Sequence, residues 1–132
     1  MAQGEMRMSK AIMIVDDNAL IREGLCEILQ REGDFDVCGT AANGKEAIEK
    51  AQQLHPDAIV LDLSMPGMNG LEAAGVLKKL MPSVVLIIYS VYQSEVVEQQ
   101  ARLVGISAVV SKSERVSALI YKIRDLLHPT AA

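Results

Sequence analysis

Aromatic residues are scarce in this sequence, whose 132 residues include three tyrosines, one phenylalanine and no tryptophan. Proteins that bind single-stranded nucleic acid stack bases on aromatic side chains, so this composition argues against such a platform. Basic runs are missing as well, and the net charge of −4 disfavours a surface that attracts phosphate backbones. The sequence therefore predicts no direct DNA binding by this chain.

Long hydrophobic runs are also absent. The longest, VVLII at 84–88, is far shorter than the roughly 20 apolar residues that cross a bilayer. The amino end lacks the apolar core of a secretory signal. Cys26 and Cys38 do not form a CxxC motif, and we expect both to be small core residues. These absences predict a cytoplasmic protein that does not enter a membrane.

Short apolar runs recur along the chain, in which half of the residues are hydrophobic. The runs show little polar alternation, which is typical of strands buried on both faces of a parallel sheet. They lie at 11–15, 35–39, 58–61, 84–89 and 108–110. Helical patterns separate them, and five such repeats predict one doubly wound α/β domain. We expect this domain over 10–128, after a flexible leader over 1–9 and before a short tail over 129–132.

Apolar stripes and capping residues predict where the helices lie. One stripe falls at positions 20, 21, 24, 25, 28 and 29, and another at 96, 97, 101 and 104. Both stripes are expected to pack on the sheet. Four side chains are placed to cap helices, namely Asn18, Asn43, Ser94 and Ser113. The spacing of Asn43 and Glu46 also matches a capping box.

Polar side chains follow the apolar runs at the point where each run stops. The first run leads into Asp16 and Asp17, the third into Asp62, the fourth into Ser90 and the fifth into Lys112. In a doubly wound sheet, ligands bind at the edge formed by the carboxyl ends of the strands. We therefore expect three acids, a hydroxyl and an ammonium to meet at one edge.

Three neighbouring carboxylates need a compensating charge. Two of them about 4 Å apart repel by about 4 kcal/mol at an effective dielectric constant of about 20, and Lys112 alone cannot balance three. Hard carboxylate oxygens favour Mg²⁺. A metal and a lysine beside an aspartate suit phosphoryl transfer, since a carboxylate can accept a phosphoryl group covalently.

Four stretches of the sequence resemble the receiver domain of two-component response regulators. They are IVDDN at 14–18, PDAIVLDLSMPGMNGLEA at 56–73, YS at 89–90 and VVSKS at 109–113. The resemblance covers roughly 10–127, and the PGMNG wording is similar to that of receivers of the NarL/LuxR type. It implies a CheY-like, flavodoxin-like (βα)5 fold with strand order 2-1-3-4-5.

The resemblance also implies a role for each residue at the predicted edge. Asp62 would accept the phosphoryl group, while Lys112 would pair with it and Ser90 would supply the switch hydroxyl. Mg²⁺ would bind Asp17, Asp62 and the backbone carbonyl of Ser64, with Asp16 acting mainly through water.

The resemblance implies partners rather than a catalysed reaction, so we expect no enzyme. The donor would be a sensor histidine kinase or a phosphotransfer protein. An effector or a second copy would bind the face made by the fourth helix, fifth strand and fifth helix.

Two positions depart from the family pattern. Val109 replaces the usual aromatic switch residue, so the signal would be weaker or would travel by backbone shift and through Tyr89 and Tyr92. Val91 replaces a small residue beside Ser90, and we expect it to narrow access to Asp62.

Two alternatives remain open. One is a phosphatase of the haloacid-dehalogenase type, which needs a second acid where this chain has Ser64. The other is a binding module that works without phosphorylation.

Overall fold

Five parallel strands and five helices alternate in the computed structural model, which describes residues 9–91 and 94–128. The strands are β1 (Lys10–Val15), β2 (Phe35–Ala41), β3 (Ala58–Leu61), β4 (Val85–Ser90) and β5 (Ala108–Ser111). The helices are α1 (Ala19–Arg31), α2 (Gly44–Leu54), α3 (Gly70–Leu80), α4 (Glu95–Val104) and α5 (Val116–Leu127). The strand order is β2-β1-β3-β4-β5, so the expected doubly wound fold is confirmed.

The ends of the chain lie largely outside the described residues. The leader predicted over 1–9 is described only at residue 9, and the tail predicted over 129–132 is not described. Both therefore stay predictions. No helix in the described part of the chain has the length and apolar character that a membrane crossing requires.

The sheet separates two hydrophobic layers. Neighbouring residues in a strand point to opposite faces, so Met13 faces α2, α3 and α4 while Ile14 faces α1 and α5. In β3, all four side chains are at most 1% exposed. This double-sided burial explains why the predicted strands are continuous apolar runs.

The edge strand β2 is two residues longer than its apolar run. Its pairing with β1 shifts register after Ile12, which leaves Cys38 opposite no β1 residue. The Cys38 thiol lies 3.6 Å from the Ile12 carbonyl oxygen. Cys26 and Cys38 are free and half-buried at the margins of the two layers, rather than inside the core.

Two predicted apolar stripes are only partly buried. In α1, Leu25 and Leu29 face the core, but Leu20 is 82% exposed. Ile21, in the same first turn of α1, packs against the core layer, so this turn presents Leu20 to solvent and Ile21 to the core. In α4, Ala101 is buried whereas Val96 is 62% exposed.

Three of the four predicted helix caps are confirmed. The side chains of Asn18, Asn43 and Ser94 each accept a backbone N–H from the first turn of their helix. The prediction for Ser113 is wrong, because α5 begins later and follows Arg115, whose side chain makes no capping bond. The Ser113 hydroxyl instead lies 2.7 Å from the Ser111 hydroxyl.

The capping box predicted at the start of α2 is incomplete. The Glu46 carboxylate accepts the N–H of Ala42 at 2.7 Å instead of the Asn43 N–H. A complete box is present at the start of α3, where Asn69 and Glu72 each accept the other's backbone N–H.

Candidate functional site

The three predicted acids meet at the carboxyl edge of the sheet. Val15 pairs with Leu61 across β1 and β3, so the residues that follow these strands emerge side by side. Asp16, Asp17 and Asp62 each offer a carboxylate oxygen, and these oxygens all lie within 4.8 Å of one another. Asp16 and Asp62 are buried, whereas Asp17 is exposed. The acid cluster (Asp16, Asp17 and Asp62) therefore opens to solvent on one side.

Lys112 brings the expected positive charge to the acid cluster. Its Nζ lies 2.8 Å from Asp16 Oδ2 and 3.4 Å from Asp62 Oδ1. Its backbone N–H donates to the carbonyl of Ser90, which continues the pairing of β4 with β5. Burial alone would lower the pKa of Lys112, but the hydrogen bond and charge of Asp16, aided by Asp62, raise it overall. Lys112 is thus held as an ammonium.

Asp62 is the least compensated of the buried carboxylates. Burial raises its pKa, and the negative charge of Asp16 raises it further. Lys112 and a hydrogen bond from the Ser64 backbone N–H oppose this shift without cancelling it. One ammonium for three acids leaves an excess of negative charge at Asp62, which a cation or a positively charged donor would relieve.

Protein donors hold Asp16 on every side. Its Oδ1 accepts the Asn18 N–H at 2.9 Å, and its Oδ2 accepts Lys112. The Arg22 guanidinium donates to the Asp16 backbone carbonyl at 2.6 Å. The Asp17 carboxylate, in contrast, has no hydrogen bond or ion pair with any described residue. Asp17 is therefore the freer ligand of the two.

The path of the loop after Asp62 depends on Gly70. Gly70, the first residue of α3, donates its N–H to the Leu63 carbonyl at 2.8 Å. A Cβ at this position would collide with the Asp62 carbonyl oxygen. Gly67 adopts a φ of 79° in the turn before it, a conformation that glycine adopts without strain. These glycines explain the MPGMNG stretch that follows Asp62.

Two further residues contact the site, and neither follows from strand-end logic. The Tyr89 ring lies 5.9 Å from Lys112 Nζ and is 7% exposed. The position of Tyr89 within β4 does not predict its contact with Lys112. Arg22 reaches the site from α1, and only its place one turn after the Asn18 cap pointed in that direction.

The remaining predicted residues lie near the same edge. Ser90 ends β4 and is fully buried. Ser64 is exposed, and its backbone N–H donates to the Asp62 carboxylate. Val109 is half-buried against the layer under α2, α3 and α4. Val91 is 66% exposed. Tyr92 lies outside the described residues.

Comparison with known proteins agrees with this geometry. A family model described as response regulator receiver domain matches residues 12–124. The chain is 39% identical over 123 residues to a protein-glutamate methylesterase/protein-glutamine glutaminase of Hahella chejuensis. That alignment covers 92% of this chain but 32% of the methylesterase, so the chain spans only about a third of that relative.

Two other matches cover most of both proteins. Chemotaxis protein CheY of Thermotoga maritima is 34% identical over 113 residues, with 86% of this chain and 93% of that protein aligned. The crystal structure of a LuxR-family two-component response regulator from Aurantimonas sp. SI85-9A1 superimposes with a TM-score of 0.87 at 29% identity. It covers 90% of this chain and 85% of that one. The chain therefore belongs to the response regulator receiver domain family.

Proposed function

We propose that this receiver accepts a phosphoryl group on Asp62 and changes its partner binding in response. The observation that carries the proposal is the shared location of three carboxylates and one ammonium. Oxygens of Asp16, Asp17 and Asp62 lie within 4.8 Å of one another, with Lys112 Nζ 3.4 Å from Asp62. We infer that the donor is a histidine kinase or a phosphotransfer protein, and that transfer takes place in the cytoplasm.

The transfer is a displacement at phosphorus. A carboxylate oxygen of Asp62 attacks a phosphorus atom bound to a histidine nitrogen of the donor. The O–P bond forms as the P–N bond breaks, and the imidazole keeps the electron pair and ends protonated. Lys112 lies where it can contact the oxygens of the transferring group and offset their charge.

The donor set at the acid cluster fits Mg²⁺. Carboxylate oxygens are hard ligands, and Mg²⁺ is usually held by one or two of them together with waters and phosphate oxygens. Asp17 and Asp62, with the Ser64 carbonyl, would hold the ion. Asp16, whose two carboxylate oxygens are already hydrogen-bonded, would act through water. When bound, Mg²⁺ neutralises charge on the transferring oxygens.

The competing functions lack support at this site. A dehalogenase-type phosphatase needs an acid two residues after the nucleophile, where this chain has Ser64. A module that only binds partners would not require Asp62, whose charged form is disfavoured by burial and by Asp16, to lie beside Lys112. We therefore propose that the domain turns over no substrate of its own.

The response would be read at the face made by α4, β5 and α5. Phosphorylation adds a charge of about −1.5 to −2, and Ser90 would donate a hydrogen bond to it, worth roughly 1.5–3 kcal/mol. To raise the population of one conformation from 1% to 99%, phosphorylation must favour that conformation by about 5.5 kcal/mol. Val109 offers no ring to this face, so we expect a modest response that reaches an effector there.

Intact mass after incubation with acetyl phosphate and Mg²⁺ tests the proposal. The wild type should gain the mass of one phosphoryl group, and Asp62→Asn should gain none. Asp36→Asn is the matched control, because Asp36 is an exposed acid within β2, outside the acid cluster. An adduct of equal yield on Asp62→Asn, or none on the wild type, would refute the assignment of Asp62.

A further inference from the structure

An open apolar groove runs between α3 and α4. It has a volume of about 610 Å³, and its apolar lining includes Gly75 and Val76 from α3 and Leu103 from α4. Leu103 is 86% exposed and Val76 is 38% exposed. Large apolar side chains grouped around an open groove indicate a surface that another molecule covers.

Two opposite charges line the groove at positions of α3 that are equally far along the helix from the point between Gly75 and Val76. Glu72 and Lys79 both line it, seven residues apart on α3, which is about two helical turns. Gly75 and Val76 lie midway between them. Glu72 uses one carboxylate oxygen in the capping box with Asn69, and its second oxygen has no hydrogen-bond partner among the described residues. Within the same residues, Lys79 forms no ion pair.

We propose that a second copy of this chain docks on the α3–α4 groove. The two α3 helices lie antiparallel about a two-fold axis that passes between Gly75 and Val76. This symmetry brings Glu72 of each copy opposite Lys79 of the other, because the two residues are equally far from the axis. The charge pattern of α3 is therefore complementary to itself.

The groove supplies the affinity and the charges supply the orientation. Exposed ion pairs contribute about 0–1 kcal/mol each, so the burial of Val76 and Leu103 drives association. The space over Gly75 is open in the single chain, where a Cβ would meet no atom within 4 Å, so a partner helix can approach the backbone there. A parallel pairing would place Glu72 against Glu72 and Lys79 against Lys79, which disfavours it.

This dimer does not presuppose phosphorylation of Asp62. It requires neither Asp62 nor Lys112, and it is built mainly on α3, with Leu103 of α4 at the border of the face formed by α4, β5 and α5. The experiments below use unphosphorylated protein, so their failure would leave the role of Asp62 untouched.

Sedimentation velocity over a concentration series measures the association. The wild type should form a reversible dimer, and Leu103→Glu should weaken it by at least about tenfold, as expected for an apolar side chain central to an interface. Leu20→Glu is the matched control, because Leu20 is 82% exposed on α1 and lies away from the groove. A monomeric wild type, or an equal loss in both variants, would overturn the proposal.

Charge reversal tests the antiparallel pairing. Glu72→Lys and Lys79→Glu should each associate more weakly than the wild type, because each places like charges opposite each other twice. Mixed in equal amounts, the two variants should form a heterodimer. One copy then has lysine at positions 72 and 79, the other has glutamate at both, and each lysine faces a glutamate. Failure of the mixture to associate, with both variants folded by circular dichroism, would exclude this geometry.

Gly75→Ala separates dimerisation from folding. Alanine in a helix interior is more favourable than glycine by about 1 kcal/mol, so the melting temperature of the monomer should rise. The added methyl group projects into the groove, so the dimer should weaken in the same variant. A dimer of unchanged affinity would place the contact elsewhere on the surface.

Discussion

Two clusters of charged residues in this receiver both combine carboxylates with one cation, but they differ in their ratio of carboxylates to cations. In the acid cluster, three carboxylates face one ammonium, and two of the acids are buried. At the end of α5, Arg124 binds Asp34 through two hydrogen bonds of 2.8 and 2.9 Å and Glu32 through one of 2.7 Å. The Arg124 guanidinium also stacks 5.2 Å from the centre of the Phe35 ring. We call the second group the Arg124 cluster (Glu32, Asp34, Phe35 and Arg124).

The two clusters differ in how folding affects the ionisation of their carboxylates. A hydrogen bond from Arg124 lowers the pKa of Asp34, whereas burial and Asp16 raise the pKa of Asp62. The folded state therefore favours the charged form of Asp34 and opposes that of Asp62. A carboxylate whose charged form folding disfavours is a candidate for binding a ligand, whereas one whose charged form folding favours needs no ligand to explain it.

The largest expected effect comes from removing the ammonium of the acid cluster. Lys112→Met leaves Asp16 buried without its ion-pair partner, which should lower the free energy of unfolding by about 3 kcal/mol. Urea denaturation with and without Mg²⁺ measures the loss. Mg²⁺ should restore part of it by neutralising the same carboxylates. A variant as stable as the wild type in the absence of Mg²⁺ would show that Asp16 does not need Lys112.

A matched pair of isosteric substitutions should shift stability in opposite directions. Asp62→Asn removes repulsion from Asp16 and should raise the free energy of unfolding, by about 1 kcal/mol in the absence of Mg²⁺. Asp34→Asn breaks the paired hydrogen bonds to Arg124 and should lower it by up to about 1 kcal/mol, since this cluster is partly exposed. Chemical denaturation of both variants measures the two changes in the free energy of unfolding. Changes of the same sign would remove the distinction between the clusters.

The smallest expected effect is a pH dependence at Asp34. Because its pKa is lowered in the folded state, its contribution to stability is fully present above its ordinary value of 3.8. That contribution is lost as the pH falls through the lower, folded-state value. The difference in unfolding free energy between the wild type and Asp34→Asn should therefore shrink in acid. A difference that stays constant from neutral to acid pH would contradict this.

The sequence could predict the fold and the acid cluster because both follow from short-range patterns. Buried parallel strands produce continuous apolar runs, as in β3, and the residues that follow such strands must share an edge. Asp16, Asp17, Asp62 and Lys112 follow directly from that rule. Their roles in phosphoryl transfer stay predictions until the chemistry is measured.

Contacts that depend on where a helix begins or ends were harder to predict. Leu20 and Val96 fit the apolar stripes, yet each lies in the first turn of its helix and is exposed, at 82% and 62%. Ser113 resembles a cap, but its hydroxyl meets Ser111 and α5 starts later. Tyr89 contacts Lys112 across neighbouring strands, and no spacing along the chain encodes that distance.

The missing side chain at Gly70 joins two parts of the molecule mechanically. Since no methyl group fits between Gly70 and the Asp62 carbonyl, the first turn of α3 rests on the backbone of the proposed phosphoacceptor. The hydrogen bond from Gly70 to Leu63 clamps this contact. Because Gly70 packs directly on the Asp62 backbone, we expect a displacement of the Asp62 main chain to reach the first turn of α3.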